Sequence, residues 1–272
     1  MHGCAPWEAL PSLALANIFC RLSIIDRARN VPLVCRSWAH ATRHPHCWAS
    51  MIAENFGNSA ADHAFLMDSY PYGLSFPDPF DGRRSPCPHR GVASLEALIA
   101  RAGGGAVIAS IYFFPFLTSS SGPANDDAIL RLIARHCPNL KHLSFHGSQN
   151  ASQEAMVEII RSCSKLELVD FSDSPYFNPL VLGELSNCCP NIRGIRRNGH
   201  LEPSFSYALS AGFPSLRLLN ISNSTLVDKD LLTIVTACKE LCYLDVTGCH
   251  MLIYYMHIIK VASAGIAQIL YD

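Results

Sequence analysis

The sequence predicts an α/β chain in two parts. A small helical unit at the N-terminus precedes a solenoid, in which a curved parallel sheet of about seven short strands is backed by outer helices. Two observations carry this prediction. Large apolar side chains crowd the segment from Glu8 to Trp48 more densely than a unit that small can bury. From Ile108 onward, a short strand-like pattern returns at nearly constant intervals. The 272 residues allow one sizeable core or two unequal ones.

In the first unit Leu15, Ile18, Phe19 and Leu22 follow the i, i+3, i+4, i+7 spacing of one helix side, and Pro11 is tolerated near the first turn. A second short helix is expected to start at Asp26. From Leu33 onward Val34, Cys35 and Trp38 share a helical face, and Pro32 just before them suits a position that needs no backbone donor. The order Leu10-Pro11, Ile18-Phe19, Leu22, Asp26, Val34-Cys35-x-x-Trp38, Pro45, Trp48 resembles the F-box over roughly residues 7 to 50. The resemblance implies a three-helix unit that docks on the Skp adaptor of a Skp-cullin-F-box ubiquitin ligase. The matching residues Leu10, Pro11, Ile18, Phe19, Leu22, Val34, Cys35 and Trp38 would form that interface. The alternative is an ordinary helical bundle that buries Trp38 and Trp48 in its own core.

Residues 51–100 are expected to hold a connecting helix and a linker or loop, because 58 to 91 are rich in Pro and Gly, as in Tyr70-Pro71-Tyr72-Gly73 and Pro77-Asp78-Pro79. A second loop, Thr118 to Asn125, reads as a flexible surface segment.

The repeat region spans 101–272. Cys137-Pro-Asn-Leu140-x-x-Leu143-x-Phe145 recurs as Cys163-Ser-Lys-Leu166-x-x-Val169-x-Phe171 and as Cys189-Pro-Asn-Ile192-x-x-Ile195. It returns at Leu216-x-x-Leu219-x-Ile221, where Phe213 replaces the cysteine, and at Cys238-Lys-Glu-Leu241-x-x-Leu244-x-Val246. Weaker copies begin at Ile108 and Ile266, so the anchors fall at 108, 140, 166, 192, 216, 241 and 266. Such a period, with a short L-x-x-L-x-L strand, is similar to leucine-rich repeats, and the recurring cysteine resembles their cysteine-containing subfamily. Each repeat would pair a strand with a helix that buries its face only against its neighbours. Asp126, Ser152, Asn178-Pro179 and Asp228 are expected to open the helices.

Some positions depart from the pattern. Arg197 sits where the third copy should place an apolar core residue, and 196–203 lacks a clean strand-to-helix turn, so an irregular or bulged repeat is expected there. Ser148, Ser174 and Ser224 occupy a turn position where only Cys249 is the residue type the repeat calls for, although serine can still bond local backbone.

Stacked repeats would align Tyr112, Ser144, Asp170, Arg196, Asn220 and Asp245 in one row, flanked by a row containing His142 and Tyr243. These eight residues are the candidate substrate-binding strip of the concave face, with the two tyrosines as anchors and Asp170 beside Arg196. The competing reading is a solvated inner face with binding at a loop edge.

Lys plus Arg number 21 against 22 for Asp plus Glu, so no field gathers nucleic acid or an anionic membrane. No secretory signal is visible, and the twelve cysteines read as thiols of a reducing compartment, cytoplasmic or nuclear. The Asn-x-Ser/Thr triplets at Asn150, Asn220 and Asn223 then go unused. No cofactor and no metal is expected. C-x-x-C and H-E-x-x-H are absent, His44-Pro45-His46 and Cys87-Pro88-His89 would need distant partners, and Gly103-Gly104-Gly105 lacks the Lys-Ser/Thr of a phosphate loop. The apolar tail Met251 to Tyr271 is broken by His257, Lys260, Gly265 and Gln268, and reads as a last repeat rather than a membrane span.

The resemblance therefore implies a non-catalytic substrate receptor. It would bind the Skp adaptor, and cullin through it, and hold an unknown protein substrate for ubiquitin transfer by proximity. The alternative is a repeat scaffold that works outside a ligase.

Overall fold

The computed structural model describes residues 7–22, 26–53, 96, 99–100, 108–113, 126–145, 148, 150–202, 204–254, 257–258 and 266–271. The expectations for 58–91, 103–105 and 118–125 fall outside them.

A helical turn, Trp7–Ala9, leads into helix α1 (Ser12–Phe19). Turns at Asp26–Asn30 and Val31–Leu33 follow, then helix α2 (Arg36–Ala41) and a 3-10 turn at Pro45–Trp48. Pro11 stands just outside α1 with an extended ψ of 143°, where its missing N–H costs nothing. The second long helix starts later than the spacing suggests. Cys35 is its cap, with Sγ accepting from the Trp38 N–H at 3.5 Å, and this leaves Val34 outside the helix.

Leu15, Ala16 and Phe19 turn inward, and Trp38 packs on Phe19 with ring centroids 5.0 Å apart. Trp48 is fully buried, and its indole N–H donates to the Thr42 carbonyl at 2.7 Å, which satisfies the one polar group of a large apolar side chain. Arg27 is buried beside it, its guanidinium 5.7 Å from the ring centroid and donating to the Cys47 carbonyl.

Eight parallel strands follow one another in chain order: β1 (Ser50–Ala53), β2 (Ser110–Phe113), β3 (His142–Phe145), β4 (Leu168–Asp170), β5 (Gly194–Arg196), β6 (Leu218–Asn220), β7 (Tyr243–Asp245) and β8 (Gln268–Leu270). The first was not expected. It begins two residues after Trp48 and pairs with β2, Ser50 opposite Ser110, so the sheet starts inside the segment read as a connector. A short run of that length carries no repeat anchor and is invisible to the 25-residue period.

Helices α3 (Asp126–His136), α4 (Gln153–Ser162), α5 (Pro179–Cys188), α6 (Phe205–Gly212) and α7 (Asp228–Ala237) back the sheet. The strand residues Leu143, Val169, Ile195, Leu219 and Leu244 are fully buried, as are Met156, Ile159, Leu185, Leu209 and Ile234 of the helices they meet. Each such side chain contributes roughly 1.5–3 kcal/mol that no single repeat could gain alone.

Ser152 Oγ accepts from the Ala155 N–H, and Asn178 Oδ1 accepts from Leu180 and Val181, so both cap their helices as expected. Asp228 opens α7 but does not cap it. Its carboxylate accepts from the Ile253 and Tyr254 N–H groups of the next repeat, at 3.2 and 2.9 Å. Asp127 treats Ser152 the same way, accepting from its N–H and its Oγ–H at 2.6 Å each. Acidic residues at helix starts therefore tie one repeat to the next.

The helix-ending cysteines form a second tie. The Cys163 thiol faces the Cys137 carbonyl at 3.4 Å, Cys189 faces the Cys163 carbonyl at 3.6 Å and Cys238 faces the Phe213 carbonyl at 3.4 Å. Burial pushes the thiols of Cys137, Cys163 and Cys189 up to about 12 and that of Cys238 to about 11.

Four residues past the first core residue of each strand, the chain turns through the left-handed region at Asp173 (φ 58°), Gly199 (86°), Asn223 (53°) and Gly248 (70°), residue types that bear it most cheaply. Ser174 Oγ donates to the Ser148 carbonyl at 2.7 Å, and Ser224 Oγ lies 3.4 Å from Cys249 Sγ. The turn serines thus form an internal polar ladder. The ladder through β5 is continuous on both sides, so there is no bulge at Arg197. The irregularity comes after the strand, where α6 starts at Phe205 without a side-chain cap.

Candidate functional site

The N-terminal unit divides its apolar residues between two duties. Leu15, Phe19 and Trp48 make its core, with Leu10 and Trp38 packed against it, half-buried. Cys35 is also half-buried. Pro11, Ile18, Leu22 and Val34 are exposed, joined by Trp7, Leu13 and Leu33. Leu33 is 84% exposed and Val34 59%, where a free-standing domain would shelter such side chains. Of the eight residues expected to meet an adaptor, Phe19 is withdrawn into the core, while Pro11, Ile18, Leu22 and Val34 are open to a partner. The exposure of Leu13 and Leu33 was missed because helical spacing assigns a face without saying which face the unit itself consumes.

On the arc, the strand register places the strip as expected. Tyr112, Ser144, Asp170, Arg196, Asn220 and Asp245 are successive neighbours across β2 to β7, and His142 and Tyr243 lie in the next row. The Tyr112 side chain lies outside the described residues. Ser144, Asp170, Arg196, Asn220 and Asp245 are buried, between 1% and 7% exposed, and Tyr243 is buried with them.

An open, substrate-facing strip is therefore not what the structure has, and the reason lies in local hydrogen bonding. Asp170, Asn220 and Asp245 each accept, through one side-chain oxygen, the backbone N–H two residues on, from Ser172, Ser222 and Thr247 at 3.0, 3.1 and 3.0 Å. Their other atoms link the row. Ser144 Oγ donates to Asp170 Oδ2 at 3.2 Å, and Asn220 Nδ2 and Tyr243 Oη donate to Asp245 Oδ2 at 2.9 and 3.5 Å. The signal was present as Asx-x-Ser/Thr in β4, β6 and β7, a backbone-capping pattern rather than a recognition pattern. His142 lies at the half-buried edge, its Nδ1 2.8 Å from Ser110 Oγ, and burial holds its imidazole down at about 4.

A separate feature lies where β4 and β5 run into their helices. Phe177, Leu201, Phe205 and Arg197, all buried, and the more open Asp173, Pro175, His200 and Glu202 enclose a cavity of about 290 Å³. Arg197 replaces the apolar residue that Phe145, Phe171, Ile221 and Val246 supply in the other repeats, which is why this repeat alone of the five needs polar surroundings there. Among the described residues no group of three or more His, Cys, Asp or Glu could hold a metal ion, and no helix is long and apolar enough to cross a membrane.

The F-box-like family model matches residues 7–53. Three Arabidopsis thaliana proteins are similar to the chain over 89% of its length. F-box/LRR-repeat protein 23 is 24% identical over 253 residues, which are 48% of that protein. F-box protein FBW2 is 25% identical over 253 residues, 68% of its length, and F-box protein SKIP1 is 25% identical over 264 residues, 79% of its length. The chain thus spans about half of the first and more of the others. The chain therefore joins an F-box-like unit at residues 7–53 to a leucine-rich-repeat arc built directly onto it, and over most of its length it is similar to F-box and F-box/LRR-repeat proteins of a plant.

Proposed function

We propose that this protein is the substrate-recognition subunit of a Skp-cullin-F-box ubiquitin ligase, docking on the Skp adaptor through its F-box and binding a protein substrate on its repeat arc. The exposure of Pro11, Ile18, Leu22, Leu33 and Val34 on a unit that already has a closed core carries the reading. Apolar side chains on a small domain are held out of its own core at a cost that only a partner recovers. The chain performs no chemistry itself. It contributes proximity, holding a substrate lysine within reach of ubiquitin delivered by another subunit. Such work belongs to the cytoplasm or nucleus.

The test is capture of a purified Skp adaptor by the intact chain and by a Leu33→Asp, Val34→Asp variant whose melting temperature is checked alongside. Capture by the intact chain and its loss in the folded variant support the reading. No capture by the folded intact chain sinks it and favours a repeat scaffold outside any ligase.

A further inference from the structure

Arg197, at the wall of the cavity, is 5% exposed and already satisfied. Its three nitrogens donate to backbone carbonyls, Nε to Phe177 at 3.3 Å, Nη2 to His200 at 3.0 Å and Nη1 to Asn198, and the carboxylates of Asp173 and Glu202 act on its charge. Other polar groups of the wall are spent too. Asn178 caps α5 with its oxygen and donates to Gln153 Oε1 at 2.7 Å. His200 Nδ1 lies 3.4 Å from Thr225 Oγ1, and the Leu201 N–H donates to that hydroxyl at 3.0 Å. What the cavity still offers is apolar. Phe177 and Phe205 lie 6.5 Å apart between ring centroids, Phe171 stacks on Phe177 at 4.9 Å, and Pro175, Pro179 and Leu201 complete the wall. Tyr176, between two wall residues in the chain, is 47% exposed, and Leu180, next after Pro179, is 68% exposed.

We propose that this cavity is the anchor pocket of the arc and takes one uncharged aromatic side chain, Phe, Tyr or Trp, of the bound protein, while Tyr176 and Leu180 receive apolar residues beside it. This rests on the substrate-receptor reading and names the chemistry of what that receptor takes. Charge decides against the alternatives. A carboxylate or phosphate would compete with Asp173 and Glu202 for a cation they already balance, and an ammonium would lie against that cation. A ring meets neither cost. It adds a further partner to Phe177 and Phe205 at the spacings aromatic side chains prefer, and a guanidinium whose nitrogens are engaged keeps its flat face for stacking. The volume of about 290 Å³ admits one such side chain. The pocket lies at the loop edge of the sheet, clear of the hydrogen-bonded inner row.

The test is an array of degenerate nine-residue peptides whose central position is fixed in turn as each amino acid and as phosphoserine. It is probed with the full chain bound to a Skp adaptor and, in parallel, with the full chain alone. Phe, Tyr and Trp are expected to exceed Ala by about tenfold, the upper scale of an aromatic contact. His200→Trp puts a ring of the chain's own at the exposed rim of the cavity, and should keep the melting temperature and lose that preference. Leu180→Asp, at an exposed position, should also keep the melting temperature and weaken capture of the same peptides several-fold. The proposal is overturned if the intact chain selects nothing, if a charged residue or phosphoserine leads the selection, or if either variant, folded, binds as the parent does. Failure of adaptor capture with the aromatic preference intact would count against the ligase reading alone and support the pocket.

Discussion

Gly248 stands over Asn223 so closely that a Cβ on the glycine would come 2.2 Å from the asparagine Oδ1. Both residues lie in the left-handed region, one repeat apart, so the turns nest. Gly248→Ala is expected to cost about 2–3 kcal/mol from positive φ and overlap together. Gly183, on α5 with nothing within 4 Å of its would-be Cβ, should gain up to about 1 kcal/mol as alanine. Urea titration of both variants checks the contrast. A Gly248→Ala variant as stable as the parent would show that the turns do not carry the stacking.

The buried polar row makes a similar claim about Asn220. Its amide donates to Asp245, and its oxygen accepts from the Ser222 N–H and Oγ–H at 3.1 and 2.9 Å. Asn220→Ala leaves those groups buried without it and should lower stability by about 1–3 kcal/mol. A surface residue reserved for a substrate would leave stability unchanged, and that is the result that would restore the strip as a binding face.

His142 gives an acid-side signature. Burial, helped by Lys141, lowers its pKa from 6.5 to about 4 against the opposing pull of Glu167. Above pH 6.5 neither state is protonated there and its neutral form stabilises the fold in full. Between pH 6.5 and about 4 the unfolded chain takes up a proton that the native chain refuses, so stability falls by up to ~1.4 kcal/mol per pH unit. His142→Gln should flatten that limb of a stability–pH curve, and an unchanged slope would assign it to other groups.

The buried thiols act at the other end. Their native pKa values, about 12 for Cys137, Cys163 and Cys189, lie above the 9.0 of a free thiol. Stability is complete below pH 9 and falls as pH rises from 9 towards 12, because only the unfolded chain releases those protons. Thiol-reagent labelling of the three at pH 8 should then follow the rate of chain opening. Labelling in the dead time of mixing would contradict their burial.

Within the F-box, exposure and burial predict opposite phenotypes. Leu33→Asp should leave the melting temperature within about a degree or two and abolish adaptor capture, since surface changes cost within ±0.5 kcal/mol. Phe19→Ala should cost about 3–5 kcal/mol through the cavity beneath Trp38 and lose capture only as the unit unfolds. Equal melting losses in both would mean that Leu33 belongs to the core.

Much of this was written in the sequence. The L-x-x-L-x-L period sets the register of six strands correctly because every copy buries the same positions, and the helix starts at Ser152 and Asn178 follow from side chains that can reach a free N–H. Burial of the polar row was not legible. An Asp or Asn at mid-strand looks the same whether it faces a partner or bends back to the N–H two residues on, and only the fold decides. Arg197 was legible as an anomaly but not as a cavity wall, since a substitution in one repeat does not say what its neighbours leave empty. The docking role proposed for Ile18, Leu22 and Val34 rested on family resemblance, and the exposure of Leu33 needed coordinates.

Strand β1 has a consequence for how the chain is held together. Ala49 O accepts from the Ala109 and Ser110 N–H groups at 2.7 and 3.1 Å, and four residue pairs continue that seam to Ala53 and Phe113. The F-box is thus stitched to the repeats by the sheet as well as by covalent continuity. A protease cut between Ala53 and Ser110 would leave two fragments that still travel as one particle on a sizing column, and the break would cost the molecule a tether rather than a joint.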